Sequence, residues 1–396
     1  EAAALARSGN PAKALELLAQ MADERRDSVP VHRAVALLAL ELGEADTWRN
    51  AFRKRVRRKS RDVGASVGLA ILEEARGRRG EAHRLLMTSL TAESRDPLLA
   101  PLLLRTTGDR AGFVRWLRQR QAVLHRVPGF AALRTRVLLD MGALGEARQV
   151  LDRALEDEAH HPDLLTLRAD RLRASGEDDG ACENARIAAG FIAGRDLVPE
   201  VSVPDKLRLA RAFTSCGAFD EASSLLDALS SLASVGDEYP LRDSAALVRA
   251  ELLVARELPI DALELLESAG IREAKLTGAL RELGWSIRAR ALALLGASGP
   301  GLENALVDEE LPAGLELSER ATALAVLLSL DGQASSRLQT RLDQVAGALR
   351  TRGLETRGAR LQTLLAVLGH RSVPDTESLG SGPVDRVLVS LAGAAK

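Results

Sequence analysis

Along residues 142–162, GALGEARQVLDRALEDEAHHP, the apolar residues Ala147, Val150, Leu151 and Ala154 fall at i, i+3, i+4 and i+7. That spacing puts them on one stripe of an α-helix, with polar side chains on the remaining faces. Upstream, Pro128 opens a run in which Ala131, Leu138 and Leu139 supply a second apolar stripe, and Gly142 stands between the two. Proline suits a helix start because the N–H it lacks would have no partner there, and glycine suits a helix end because it adopts the left-handed conformation that stops one. The segment therefore predicts a helical hairpin.

The turn glycine recurs at Gly9, Gly43, Gly77, Gly108, Gly142, Gly176 and Gly217, at intervals of 34, 34, 31, 34, 34 and 41 residues. Five residues on comes a small residue in most copies: Ala14, Ala82, Ala147, Ala181, Ala222 and, counting Glu257 as the next turn, Ala262. Four further on stand Leu18, Leu86, Leu117, Leu151, Leu226 and Leu266, with Phe52 and Ala185 in two copies. Seven before the turn stand Ala2, Ala36, Ala70, Ala169, Ala210 and Ala250. Pro97, Pro128, Pro162, Pro204 and Pro240 are expected just before first helices.

With that period and small residues where two helices would cross, the chain resembles the tetratricopeptide repeat (TPR) family from about Pro30 to Ala269. It departs from the family pattern at Trp48 and Phe113, which occupy the small position of the second helix. The resemblance implies an all-α fold, a right-handed α-solenoid of helical hairpins. Its repeats are expected over 1–269, with the first incomplete because Glu1 falls inside a first helix, so that residues upstream are expected. Beyond the clear register, Leu276–Leu295, Leu315–Leu330, Ser335–Leu349 and Leu354–Leu368 read as divergent hairpins continuing the solenoid over 270–369. Residues 370–396 read as a polar linker and a short apolar helix, Val384–Ala392.

In the family, first helices line a concave groove that holds a protein or peptide. Carried over, that register nominates Arg33, Glu74, Arg136, Asp170, Arg173, Arg211 and Glu251 as inward-facing. Arg136, Arg173 and Arg211 are placed to hold a carboxylate bidentately. The Lys/Asn pattern by which some members clamp a chaperone tail is missing, and the alternative is that these residues pair with one another along the groove.

Charge sharpens the picture in one region. The whole chain balances to −1, yet residues 49–136 carry 21 Lys/Arg against 7 Asp/Glu. The stretch Trp48–Arg61, WRNAFRKRVRRKSR, concentrates this charge in a basic helix, Arg49, Arg53, Lys54, Arg55, Arg57, Arg58, Lys59 and Arg61, with Trp48, Phe52 and Val56 expected toward the core. Such mutual repulsion needs an anion or acidic surface to meet it. The stretch reads as a face for an acidic protein, lipid headgroups or nucleic acid, or else as a solvated convex surface. Nucleic acid fits least, because the few aromatics nearby are expected to be buried and leave no platform for stacking bases.

No other stretch has the spacing of a catalytic, metal or cofactor site. His160-His161 have no ligand partner at helical spacing, Gly77-Arg78-Arg79-Gly80 lacks the lysine of a phosphate loop, and Glu73-Glu74 read as surface charge. Cys182 and Cys216 read as small packed hydrophobes in a reducing compartment, and no run is apolar enough to span a membrane, which points to the cytoplasm. The expected function is a non-catalytic interaction scaffold without cofactor or metal. The alternatives are the regulatory or sensor region of a larger effector whose active domain lies upstream, or an electrostatic adaptor using the basic helix.

Overall fold

The computed structural model describes residues 5, 10–58, 62–90, 99–124, 129–192, 199–232, 239–272, 276, 278–297, 300–330 and 336–368. All regular structure among them is helical, and contacts divide the chain into two units, 1–137 and 138–396. The register boundary near Ala269 falls inside the second unit.

The first unit contains α1 (Pro11–Glu24), α2 (Val29–Glu41), α3 (Ala45–Arg58), α4 (Val63–Ala75), α5 (Arg79–Ser89), α6 (Leu99–Thr106), α7 (Arg110–Gln119) and α8 (Gln121–Leu124). Helix α9 (Phe130–Asp140) runs across the division. Within the unit α2 packs on α4, while α3 and α5 each pair with α4. Ala36, Ala70, Ala82, Phe52, Leu86 and Leu117 are all buried, as the repeat register requires, and Ala14 is buried with Leu18 half-buried beside it.

The second unit contains α10 (Leu144–Asp157), α11 (Pro162–Ser175), α12 (Asp178–Ile192), α13 (Pro199–Ser215), α14 (Phe219–Leu232), α15 (Tyr239–Ala255), α16 (Pro259–Ser268), α17 (Gly278–Leu294), α18 (Pro300–Asp308), α19 (Leu317–Leu330), α20 (Ser336–Thr351) and α21 (Glu355–Leu368). The first helices α11, α13, α15, α17 and α19 pack each on the next, and their hairpin partners flank them. This is the nearest-neighbour stacking of a solenoid. The row also returns on itself, because α11 touches α19 and α21. Arg360 of α21 donates to the carbonyl of Gly176, which caps α11, at 2.7 Å.

Five of the hairpin turns share one cap, while Gly108 has no left-handed φ. Gly43, Gly77, Gly142, Gly176 and Gly217 have φ of 73, 76, 74, 83 and 79°. In each the following N–H reaches back to the carbonyl five positions earlier, as in Glu44 to Ala39 at 2.8 Å and Ala143 to Leu138 at 2.9 Å. Glycine reaches this left-handed region without the clash a Cβ brings. Glu257 adopts it too, with φ 63°, and Leu258 donates to Leu253 at 2.9 Å, so the cap survives without its glycine. Gly270, Gly296 and Gly353 repeat the arrangement beyond Ala269.

Four expectations need correction. Pro204 lies inside α13 rather than before it, where the missing N–H costs the helix one backbone bond near its start. Helix α18, only nine residues long, was not foreseen. Cys182 and Cys216 are not free hydrophobes but are joined by a disulfide, their Cα atoms 6.1 Å apart. Cys182 stands six residues past Gly176 on α12 and Cys216 just before Gly217 at the end of α13, so the packing of α12 against α13 brings the two thiols together. Glu73 is buried rather than surface charge. Pro97, Pro128, Ala2, Gly9 and residues 370–396 lie outside the described residues.

Candidate functional site

In residues 138–396, four of the nominated inward positions meet. Asp170 and Arg173 lie one turn apart on α11, Arg211 is on α13 and Glu251 on α15, and all four sit on the inner row of first helices. Arg211 holds Glu251 through Nε at 2.7 Å and Nη2 at 3.3 Å. Arg173 takes Asp170 at 3.1 Å. Because the row curls back, a residue that the register did not nominate completes the set: Glu319, from α19, accepts from Arg173 at 2.8 Å and from Arg211 at 2.5 Å through the same Oε1.

Electrostatics follows that geometry. Burial pushes the Glu319 carboxyl up, but Arg211 and Arg173 outweigh it and hold the group well below the usual carboxylate range. Burial likewise disfavours the Arg211 charge, and Glu251 and Glu319 more than compensate, raising its pKa. Glu319 and Arg211 are thus each held in the charged form by the other, and the cluster is internally hydrogen-bonded. Beside it, Arg320 and Glu282 form a second buried pair, bidentate at 2.7 and 2.7 Å, with the Arg320 guanidinium 5.0 Å from the Trp285 ring.

Glu316, at the entry to α19, is the opposite case. Burial first, then the charges of Asp140, Asp170 and Glu282, raise its pKa to about 7, and its Oε2 has no hydrogen-bond partner. The loop carrying it lies against the α9–α10 turn, where any Cβ on Gly142 would run into the Ala313 carbonyl.

In residues 1–137 the basic helix α3 divides in two. Phe52 is fully buried, with Trp48 and Val56 half-buried at its sides, so the core face is the expected one. Arg53 donates to Glu73 at 2.7 Å, and Arg78 meets the other oxygen of that carboxylate at 2.5 Å. Arg55 holds Asp62, the N-cap of α4, at 3.0 and 3.1 Å, and Arg49 lies 3.2 Å from Asp46. Arg53 and Arg55 pin α3 to its neighbours, while the Arg49 pair lies within α3 itself. Lys54, Arg57 and Arg58 are exposed and make no ion pair among the described residues. Arg61 lies outside the described residues. Arg33 and Arg136 are buried and Glu74 half-buried, each with an interaction of its own.

Buried alanines at 34-residue spacing, paired helices and a shared glycine cap decide the class. The hairpins are tetratricopeptide-like. Solved structures similar to this chain include the TPR domain of P58(IPK), at 13% identity over 89% of this chain and 97% of that one, with a TM-score of 0.22. Yeast Tom70 aligns at 13% identity over 100% and 94% of the two chains, TM-score 0.27. A chain of the Naa15/Naa10 complex bound to HypK-THB aligns at 14% over 100% and 71%, TM-score 0.27. No protein-family model matches the chain, and no curated protein does. No helix among the described residues is long and apolar enough to cross a membrane.

Sequence reasoning missed Glu319, Glu282 and Arg320. They stand beyond Ala269, where the period fades and no register assigns a facing direction. An acidic and a basic residue side by side, Glu319-Arg320, in an otherwise apolar helix, was the available signal.

Proposed function

We propose that the protein is a non-catalytic scaffold of TPR-like hairpins that binds an acidic protein or peptide partner. The observation that carries this reading is the unpaired trio Lys54, Arg57 and Arg58 on the exposed face of α3, in a segment with an excess of 14 positive charges over residues 49–136. Three exposed like charges on adjacent turns repel one another, and an acidic surface relieves that repulsion. Arg53 and Arg55 beside them are held by Glu73 and Asp62, so the trio is presented from a pinned helix and a partner need not order it first. The carboxylates of the second unit's cluster are engaged by guanidinium groups, which supports a scaffold rather than acid–base chemistry.

Binding in the groove through Arg173 and Arg211 is the other arrangement that the TPR resemblance suggests. It requires an incoming carboxylate to displace Glu319 and Glu251 from buried, bidentate partners, which favours the α3 face as the first point of contact. The test is retention of acidic proteins on the immobilised full chain across a salt series, for wild type and for Lys54→Glu/Arg57→Glu/Arg58→Glu. Wild type is expected to hold a partner at low salt and release it steeply as salt rises, while the triple variant holds none. Retention that is salt-insensitive and equal in the triple variant sinks the reading.

A further inference from the structure

Hydrogen bonding around the centre of the second unit leaves one cation over. A partly enclosed cavity of about 30 Å³ is lined by the cationic residues Arg173, Arg290 and Arg357 and the acidic residues Asp178, Glu251 and Glu319. Formal charge balances there; bonding does not. Arg173 and Arg211 both load Glu319, and Arg211 takes both oxygens of Glu251. Asp178 and Arg357 have interactions of their own. Arg290, from α17, lines the same space and makes no hydrogen bond or ion pair among the described residues.

Arg290 is half-buried, and an arginine carries five N–H donors and cannot shed its charge, so holding it away from bulk water without a protein acceptor is costly. The cavity's own hydroxyls do not help. Thr214, Ser215 and Thr322 donate to the carbonyls of Ala210, Ala212 and Ser318 on their own helices, so Arg290 is where the cavity has donors to spare. Burial lowers the pKa of Arg290, with Glu251 and Glu319 only partly opposing. The space exceeds the roughly 10–15 Å³ that one water needs, and it is too small for a peptide side chain with its backbone.

We propose that this cavity is a binding site for a small free monoanion of the size of chloride or formate, held by the Arg290 guanidinium and flanked by Arg173 and Arg357. Bound there, the ion ties α17 to α11 and α21 where the row of first helices closes. The site is independent of the partner surface on α3.

Thermal unfolding of the full chain at constant ionic strength tests it, with sodium gluconate, whose anion is too bulky for the cavity, replaced stepwise by chloride or by formate. Wild type is expected to show a saturable rise in Tm of about 2–4 °C, the size that ligand excess gives a unit of this length. Arg290→Gln should lose the rise, and Arg290→Lys should keep it with a half-saturation concentration about tenfold higher, since a point charge replaces the fork. No saturable rise in wild type, or the same rise in Arg290→Gln, means that the cavity holds water bridging Arg290 to its neighbours and overturns the proposal. Should Arg290→Gln fail to fold, an unchanged half-saturation in Arg290→Lys overturns it equally.

Discussion

Helix α3 in the first unit and the inner row of the second both gather arginines, and the two put them to different uses. On α3 the charges lie on one outer helix, so only those that reach an acid on a neighbouring turn or helix are paired, and Lys54, Arg57 and Arg58 stay in water. On the inner row five first helices face a common centre, so a carboxylate from one is shared by arginines from two others. The lesson is geometric. A run of charge along one helix remains a surface; the same charges distributed one per repeat become a core.

The largest expected effect breaks that contrast at its centre. Glu319→Gln removes the charge shared by Arg173 and Arg211 and leaves two buried guanidiniums short of a partner. A loss on the order of 3–5 kcal/mol is expected in denaturant unfolding of the second unit. Lys54→Ala on α3 should stay within about 0.5 kcal/mol of wild type. Equal effects of the two substitutions would mean that the cluster contributes no more than a surface pair.

A second prediction uses pH. The Glu316 carboxyl titrates at about 7 when folded, against 4.5 for an ordinary glutamate. The folded state therefore keeps a proton that the unfolded state releases, and stability falls as pH rises from about 4.5 to about 7, then levels off. The drop is on the order of 3 kcal/mol. Glu319 has the opposite sign: its contribution is present above 4.5 and is lost as pH falls below it. Glu316→Gln should flatten the neutral limb, leave the acid limb, and raise stability at pH 8; an unchanged slope between pH 5 and 7 would assign the titration elsewhere. The smallest expected effect is at the turn that lacks its glycine. Glu257→Gly removes a left-handed Cβ and should stabilise by about 1 kcal/mol, read as a small upward shift in the denaturant midpoint.

What was legible in the sequence was whatever repeats. Ala147, Ala181 and Ala222 announce buried helix crossings because the same small volume is needed once in each repeat, here at intervals of 34 and 41 residues, and the structure buries each of them. The inward direction of Asp170, Arg173, Arg211 and Glu251 was legible for the same reason. Their partner was not. Glu319 meets Arg173 only because the row curls, and curvature accumulates from small rotations at each hairpin that no local pattern records. The disulfide was hidden similarly, since Cys182 and Cys216, at different positions of successive repeats, become neighbours only when α12 packs on α13. Glu73 misled because consecutive glutamates look solvated until the facing helix supplies Arg53.

The contact of α21 with α11 changes how the second unit can fold. A linear array can nucleate at any hairpin and grow outward through local contacts. Here Arg360 and Gly176 are 184 positions apart, and Arg173 and Glu319 are 146 apart. Contacts of such high sequence separation slow folding, because a long loop must close before they are made. A nascent chain that has emerged as far as α18 holds the arginines of the cluster without Glu319, so the centre of this unit can be completed only after α19 has left the ribosome.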